Sequence, residues 1–82
     1  MSATFDLAID KEIDARGSFC PGPLMELIRG IKTLPVGGVV AVLSSDPGSA
    51  RDIPVWVRKA GHEFVAALAE SGYTRFVVRK AR

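Results

Sequence analysis

Val39-Val40-Ala41-Val42-Leu43 constrains this chain more than any other stretch, because it is an unbroken β-branched and apolar run. Such a run is expected of a central strand buried on both faces, or nearly so. Its boundaries are clear. Leu34-Pro35-Val36-Gly37-Gly38 ends a preceding helix by its proline and glycine content, and Ser44-Ser45-Asp46-Pro47-Gly48-Ser49 is a loop dense in capping residues.

The rest of the chain supplies neighbours for that strand. From Pro21 onward, Leu24, Leu27, Ile28 and Ile31 recur at helical spacing, while Glu26, Arg29 and Lys32 occupy other faces. Met25 lies just off the apolar stripe and is expected near the surface. A second helix carries the stripe Ile53, Trp56, Val57 and Ala60, with Gly61 where a C-terminal cap belongs. Trp56 reads as a core residue that anchors this helix on the sheet. Pro54 is cheap only in a first turn, so the regular helix is expected to begin around Arg51 or Asp52, with Asp52 as its cap. Ser49 and Asp52 have capping-box spacing and offer a competing start. Asp46 is read as a loop cap.

Ile9 to Ile13 alternates apolar and charged residues as a half-exposed strand does, begun as early as Phe5. His62 to Glu70 is ambiguous: its alanines favour helix, yet Phe64, Ala66 and Leu68 alternate. Ser71-Gly72 then signals a turn, and Thr74 to Arg79 reads as a strand. Two segments joined so briefly make a hairpin, which makes 62–70 a strand against its local propensity. The order is βαβαββ. Its first strand–helix–strand unit is expected to be right-handed with parallel strands, and the closing hairpin adds antiparallel ones. The fold class is α+β: one four-stranded mixed sheet with two helices on one face.

At 82 residues the chain is read as a single domain, 1–82, and 48% apolar with 24% charged residues suits a soluble globular protein. No apolar run approaches the length of a membrane span, and Met1-Ser2-Ala3-Thr4 lacks the features of a secretory signal. A single cysteine cannot form an internal disulfide, so the expected location is the cytoplasm. The formal charge of +2 is spread over scattered Arg and Lys residues, which favours a solvated surface over a nucleic-acid face. A nucleic-acid-binding or regulatory interaction module is the alternative that the basic balance raises, but no glycine-flanked aromatic motif of RNA-stacking sheets is present. Neither nucleic acid nor membrane is the expected partner.

The only cysteine stands in Cys20-Pro21-Gly22-Pro23, immediately before the first helix. Lone cysteines are more often buried, inert hydrophobes. Here the preceding Asp14-Ala15-Arg16-Gly17-Ser18-Phe19 reads as a strand end and turn, and turns leading to a helix N-terminus lie at the surface. The positive end of the helix dipole favours a thiolate, and prolines are tolerated in the opening turn, where N–H groups lack intrahelical partners. Arg16 either adds positive charge beside the sulfur or is an ordinary solvated arginine. His62, the only histidine, follows a helix cap and lacks the orienting third group a Cys–His dyad needs. One cysteine and one histidine do not furnish an ordinary zinc site, and no cofactor is expected. Arg51 is a candidate basic contact near the start of the second helix.

Three blocks carry a family resemblance: Asp14-Ala15-Arg16-Gly17 leading to Cys20-Pro21-Gly22-Pro23; Asp46-Pro47 followed by Arg51-Asp52-Ile53-Pro54 and Trp56; and Gly61-His62 before Phe76-Val77-Val78-Arg79-Lys80. With this order and spacing, from about Lys11 onward, the chain resembles the TusA/SirA-like sulfur-carrier proteins. The resemblance implies a two-layer α/β sandwich in βαβαββ order. It also implies that Cys20 accepts sulfane sulfur, as a persulfide or a thiosulfonate, and relays it to a partner protein. In the family this serves tRNA thiolation, molybdenum cofactor work or sulfur oxidation, and Gly22 to Ile28 resembles the versions found in sulfur-oxidising metabolism. Rhodanese-, cysteine desulfurase- or DsrE-like proteins are the implied donors and acceptors, so the chain would be a sulfurtransferase-like carrier completed by its partners. On that reading Pro21, Gly22, Pro23 and Leu24 form the anion-stabilising motif. The prolines remove two N–H donors and leave Gly22 and Leu24 to hydrogen-bond the sulfur anion.

Overall fold

The computed structural model describes residues 9–18 and 22–82. The proposed extension of the first strand to Phe5, and the placement of Cys20 and Pro21 at the helix tip, lie outside these residues. The observed order is β1 (Lys11–Asp14), α1 (Gly22–Lys32), β2 (Val39–Ser44), α2 (Ser49–Ala60), β3 (Glu63–Glu70) and β4 (Tyr73–Arg79). The strands form one mixed sheet in the order β1-β2-β4-β3. β1 runs parallel to β2, from Lys11 opposite Val40 to Asp14 opposite Leu43. β4 is antiparallel to both β2 and β3.

The apolar run takes the position its composition demands, with all six residues of β2 buried. Alternate residues serve two faces. Val40 and Val42 join Phe76 and Val78 of β4 beneath Leu27 and Ile31 of α1 and Ile53 and Val57 of α2. Both helices therefore cover one face, as expected. Each such fully buried side chain contributes about 1.5–3 kcal/mol relative to exposure. On the other face Val39, Ala41 and Val77 cluster with Ile9, Val65 and Ala66. An ion pair of Arg79 with Glu63 (2.7 Å) ties β4 to its neighbour β3, and one of Arg75 with Glu12 (2.6 Å) reaches from β4 across β2 to β1.

The segment with divided propensity is a strand. Pairing decides it: β3 has β4 beside it through a two-residue turn, which outweighs the helical preference of its alanines. One extra residue, Val65, breaks the register between Phe64 and Ala66, a β-bulge on this outer strand.

Several boundaries differ from the sequence reading. β1 begins at Lys11, not Ile9, and its last residue is Asp14. In α1 the buried stripe is Pro23, Leu27, Gly30 and Ile31; Ile28 is only half-buried, because the helix meets β1 through Gly30. The start of α2 is the main correction. Asp52 is not its cap, and neither is Ser49. The helix begins at Ser49, with Gly48 as N-cap in a helical conformation and no side-chain cap bond. Backbone N–H groups of Ser49, Ala50 and Arg51 donate to the carbonyls of Asp46, Pro47 and Gly48 at 3.1–3.3 Å, a tight opening turn. The hydroxyls of Ser44 and Ser49, both fully buried, are 2.8 Å apart and pin this turn to the end of β2. Pro54 thus sits in the sixth helical position. Its missing N–H would have faced the carbonyl of Ala50, an exposed residue where water can take that place. At the other end Gly61 adopts φ 83°, left-handed, and its N–H and that of His62 donate to Arg58 and Val57 carbonyls, as its glycine predicts.

Candidate functional site

The loop between β1 and α1 carries the cysteine, and its described flanks are firmly mounted. Ala15 is buried in the core, and its N–H donates to the Leu43 carbonyl at 2.9 Å, which continues the β1–β2 ladder past the strand end. The Gly17 N–H donates to Ser45 Oγ at 3.0 Å, so the loop after β2 holds the loop after β1. Ser18 N–H returns to the Ala15 carbonyl at 3.2 Å. Ser18 packs so closely on Gly22 that a Cβ at position 22 would lie 3.1 Å from Ser18 Cβ. Cys20 is two residues in sequence from each of these contacting positions.

Arg16 is held by Asp14 and Tyr73. Its Nε and Nη2 donate to the two carboxylate oxygens of Asp14 at 2.8 and 2.7 Å, and its guanidinium lies 4.9 Å from the Tyr73 ring centroid. Hydrogen bonds from the Arg16 side chain, then from its backbone N–H, hold the Asp14 carboxyl down to about 2. Of the two roles open to Arg16, the contacts displayed are this bidentate pair and the aromatic stack.

α1 begins at Gly22 with Pro23 buried beneath it. No acidic residue lies in its first turn, whereas Arg29 and Lys32 lie in its last. Charge is therefore arranged to leave the positive helix end uncompensated by any side-chain carboxylate of its own first turn. Leu24, half-buried against the core, forms one wall of a shallow groove of about 430 Å³ between the helices. The opposing wall is Arg51, Asp52, Val55, Trp56 and Lys59 of α2. The structure thus brings together Leu24 and Arg51, both singled out from sequence, and leaves Arg16 beside β4. Arg51 is 85% exposed and only loosely paired with Asp52 at 3.7 Å.

Trp56 packs against the core, as expected, but is only partly buried and also lines the groove. Its other neighbour is His62, with ring centroids 5.6 Å apart. His62 Nδ1 accepts the Ala81 N–H at 3.1 Å, so this histidine ties the C-terminal end to α2. Burial first, then the charges of Lys80 and Arg82, push its pKa below the usual histidine value. The groove itself was missed in sequence. Val55 and Lys59, four apart, mark a stripe beside Trp56, but only the docking of α1 on α2 puts Leu24 opposite.

A second cleft, about 330 Å³, lies between the β2–α2 loop and the β3–β4 turn and is lined by Ser44, Ser45, Asp46, Glu70 and Tyr73 among others. It offers no thiol or imidazole. Among the described residues no cluster of His, Cys, Asp and Glu could hold a metal, and no helix is long and apolar enough to cross a membrane.

Comparison with known proteins places this arrangement. A SirA-like protein from Desulfitobacterium hafniense has a crystal structure that superposes with a TM-score of 0.77 over 88% of this chain and 99% of that one, at 24% identity, a likeness of fold. The protein named "Putative sulfur carrier protein" from Archaeoglobus fulgidus is 60% identical over 70 residues, 85% of this chain and 96% of the relative. The sulfur carrier protein TusA of Pseudomonas syringae pv. syringae is 44% identical over 75 residues, 92% of this chain and 89% of the relative. Residues 11–80 match the family described as Sulfurtransferase TusA, so with the βαβαββ sheet and the cysteine-bearing loop before α1, the chain belongs to that family.

Proposed function

We propose that the protein is a sulfur carrier that accepts a sulfane sulfur on Cys20 and relays it to a partner protein. The observation that carries this reading is the position of the chain's only thiol. It stands two residues before a helix whose first turn holds no carboxylate, in a chain of the TusA family. In the loading step the Cys20 thiolate attacks the outer sulfur of a donor persulfide. The donor S–S bond breaks, the donor thiolate leaves, and a Cys20 persulfide forms. In the unloading step an acceptor thiolate attacks that outer sulfur and Cys20 departs as thiolate. Both steps place negative charge on the Cys20 sulfur, and a helix N-terminus stabilises such charge by about 0.3–1 kcal/mol. Gly22 and Leu24 supply the N–H groups of the opening turn, and Pro23, buried, fixes its direction.

The absence of a second cysteine matters here. A neighbouring thiol would attack the persulfide and expel its sulfur as sulfide, whereas a solitary one holds its cargo until a partner supplies the attacking thiolate. Donor and acceptor are then separate proteins, of the rhodanese, cysteine desulfurase or DsrE kind. The test is intact-mass spectrometry after incubation with inorganic polysulfide. Wild-type protein is expected to gain one sulfur atom, removable by dithiothreitol, and Cys20→Ser to gain none. No gain in the wild type, or a gain that survives Cys20→Ser, overturns the reading.

A further inference from the structure

The helical layer has a charge character of its own. Its basic residues are Arg29, Lys32, Arg51, Arg58 and Lys59, and its acidic ones are only Glu26 and Asp52. Glu26 is occupied by Arg29 at 2.9 Å, and Arg51 lies over Asp52, while Arg58 and Lys59 have no ion pair among the described residues. On the sheet side the balance is different. Glu12, Asp14, Glu63 and Glu70 are matched by Arg75, Arg16 and Arg79 in close pairs. The helical layer thus carries five basic residues against two acidic ones, and three of the five lie on α2.

That charge borders apolar surface. Val55 is 41% exposed and Met25, next to Leu24 on α1, is 43% exposed; these are two of the three exposed large hydrophobic residues among those described. Val55 and Trp56 with Leu24 opposite form the apolar lining of the groove, and Val55, Arg58 and Lys59 line a further hollow of about 250 Å³ along the same helix. An apolar lining with a cationic rim matches a hydrophobic side chain flanked by carboxylates. A second copy of this chain docked groove to groove does not fit, because it presents the same positive surface.

We propose that the α1–α2 groove docks an acidic segment of a sulfur-donor or sulfur-acceptor protein, with one apolar side chain of that segment seated between Leu24, Val55 and Trp56. The proposal rests on the carrier reading and deepens it. Leu24 is four residues from Cys20, so a partner held in the groove is held beside the thiol-bearing loop. The cationic rim steers the encounter, and the apolar seat sets its orientation.

The experiment is a titration of ¹⁵N-labelled full-length protein with a short synthetic peptide that has a leucine–phenylalanine centre flanked by glutamates. A lysine-flanked version and a single-stranded oligonucleotide serve as competing probes. The expected result is a saturable shift at Leu24, Val55 and the Trp56 indole, weakened by salt and weakened about tenfold in Arg51→Glu/Lys59→Glu. Single Lys59→Gln, an exposed and conservative change, is expected to weaken it less and confirms that the loss is one of charge. Shifts elsewhere, no saturable shift, equal binding of the lysine-flanked peptide, indifference to the charge reversal, or tighter binding of the oligonucleotide each overturn the proposal. Loading of wild-type Cys20 by polysulfide is read separately. Its failure removes the carrier reading and leaves the docking map standing, and the reverse outcome removes only the docking surface.

Discussion

Position 22 shows how little space the thiol-bearing loop has. Ser18 Cβ would stand 3.1 Å from a methyl group there, tighter than an ordinary van der Waals contact. Gly22→Ala should therefore displace Ser18 by a few tenths of an ångström and disturb the loop between them. The expected outcome is slower sulfur loading at Cys20 with a stability change below about 1 kcal/mol, since the gain in helix propensity offsets the crowding. Stopped polysulfide reactions followed by mass, alongside urea unfolding, check both halves. His62 gives a second expectation at this scale. Its folded pKa lies below the unfolded value of 6.5, so the unfolded chain binds more protons between the two values. Its contribution is present above pH 6.5 and is lost as pH falls from there through the lowered folded pKa, where a protonated ring can no longer accept the Ala81 N–H. An NMR titration of the imidazole should show a midpoint below 6.5. The fall of urea midpoints between pH 7 and 5 should flatten in His62→Gln.

Among the elements, α1 meets β1 through the smallest side chain available. A Cβ at Gly30 would collide with Ile13 Cδ1 and touch Lys11 Cε. Gly30→Val should push α1 off the sheet edge and cost about 1–3 kcal/mol by overpacking, read from the urea midpoint at unchanged slope. Nothing in the sequence singles out Gly30, because its importance lies in what β1 places against it. The same limit explains α2. Proline rules put its start near Asp52, yet the buried Ser44–Ser49 hydroxyl pair and the backbone turn at Asp46–Gly48 start it at Ser49. Local preference pointed to Asp52 or Ser49 as cap, and the helix uses neither. By contrast the Gly61 cap and the β3–β4 hairpin were legible, because each is decided by residues adjacent in the chain.

Among the described residues the core is one large cluster under the helices and a small one on the opposite sheet face, with little redundancy. Phe76, Leu27 and Ile53 are its largest fully buried side chains, and a chain of this length has a total stability of about 4–12 kcal/mol. Phe76→Ala should remove about 3–5 kcal/mol of that, enough to leave much of the population unfolded at 37 °C by circular dichroism. The site follows the same division between local and assembled information. The Cys20-Pro21-Gly22-Pro23 stretch stands out in one tetrapeptide, but the groove combines Leu24 with residues some thirty positions away and exists only after two helices have docked on the sheet. Trp56 reads from sequence only as a core anchor for the same reason: its own helix cannot tell how much of the ring the neighbouring helix will leave open.

The register break at Val65 has a consequence beyond the ladder in which it occurs. β3 ends the sheet, is rich in alanine, and would be a ready template for a foreign strand if it ran flat. The bulge twists that border and spoils its hydrogen-bonding rhythm, so stray chains find no regular edge to extend. A protein built for repeated brief encounters at one end is thus guarded against permanent, fibre-like ones along its flank.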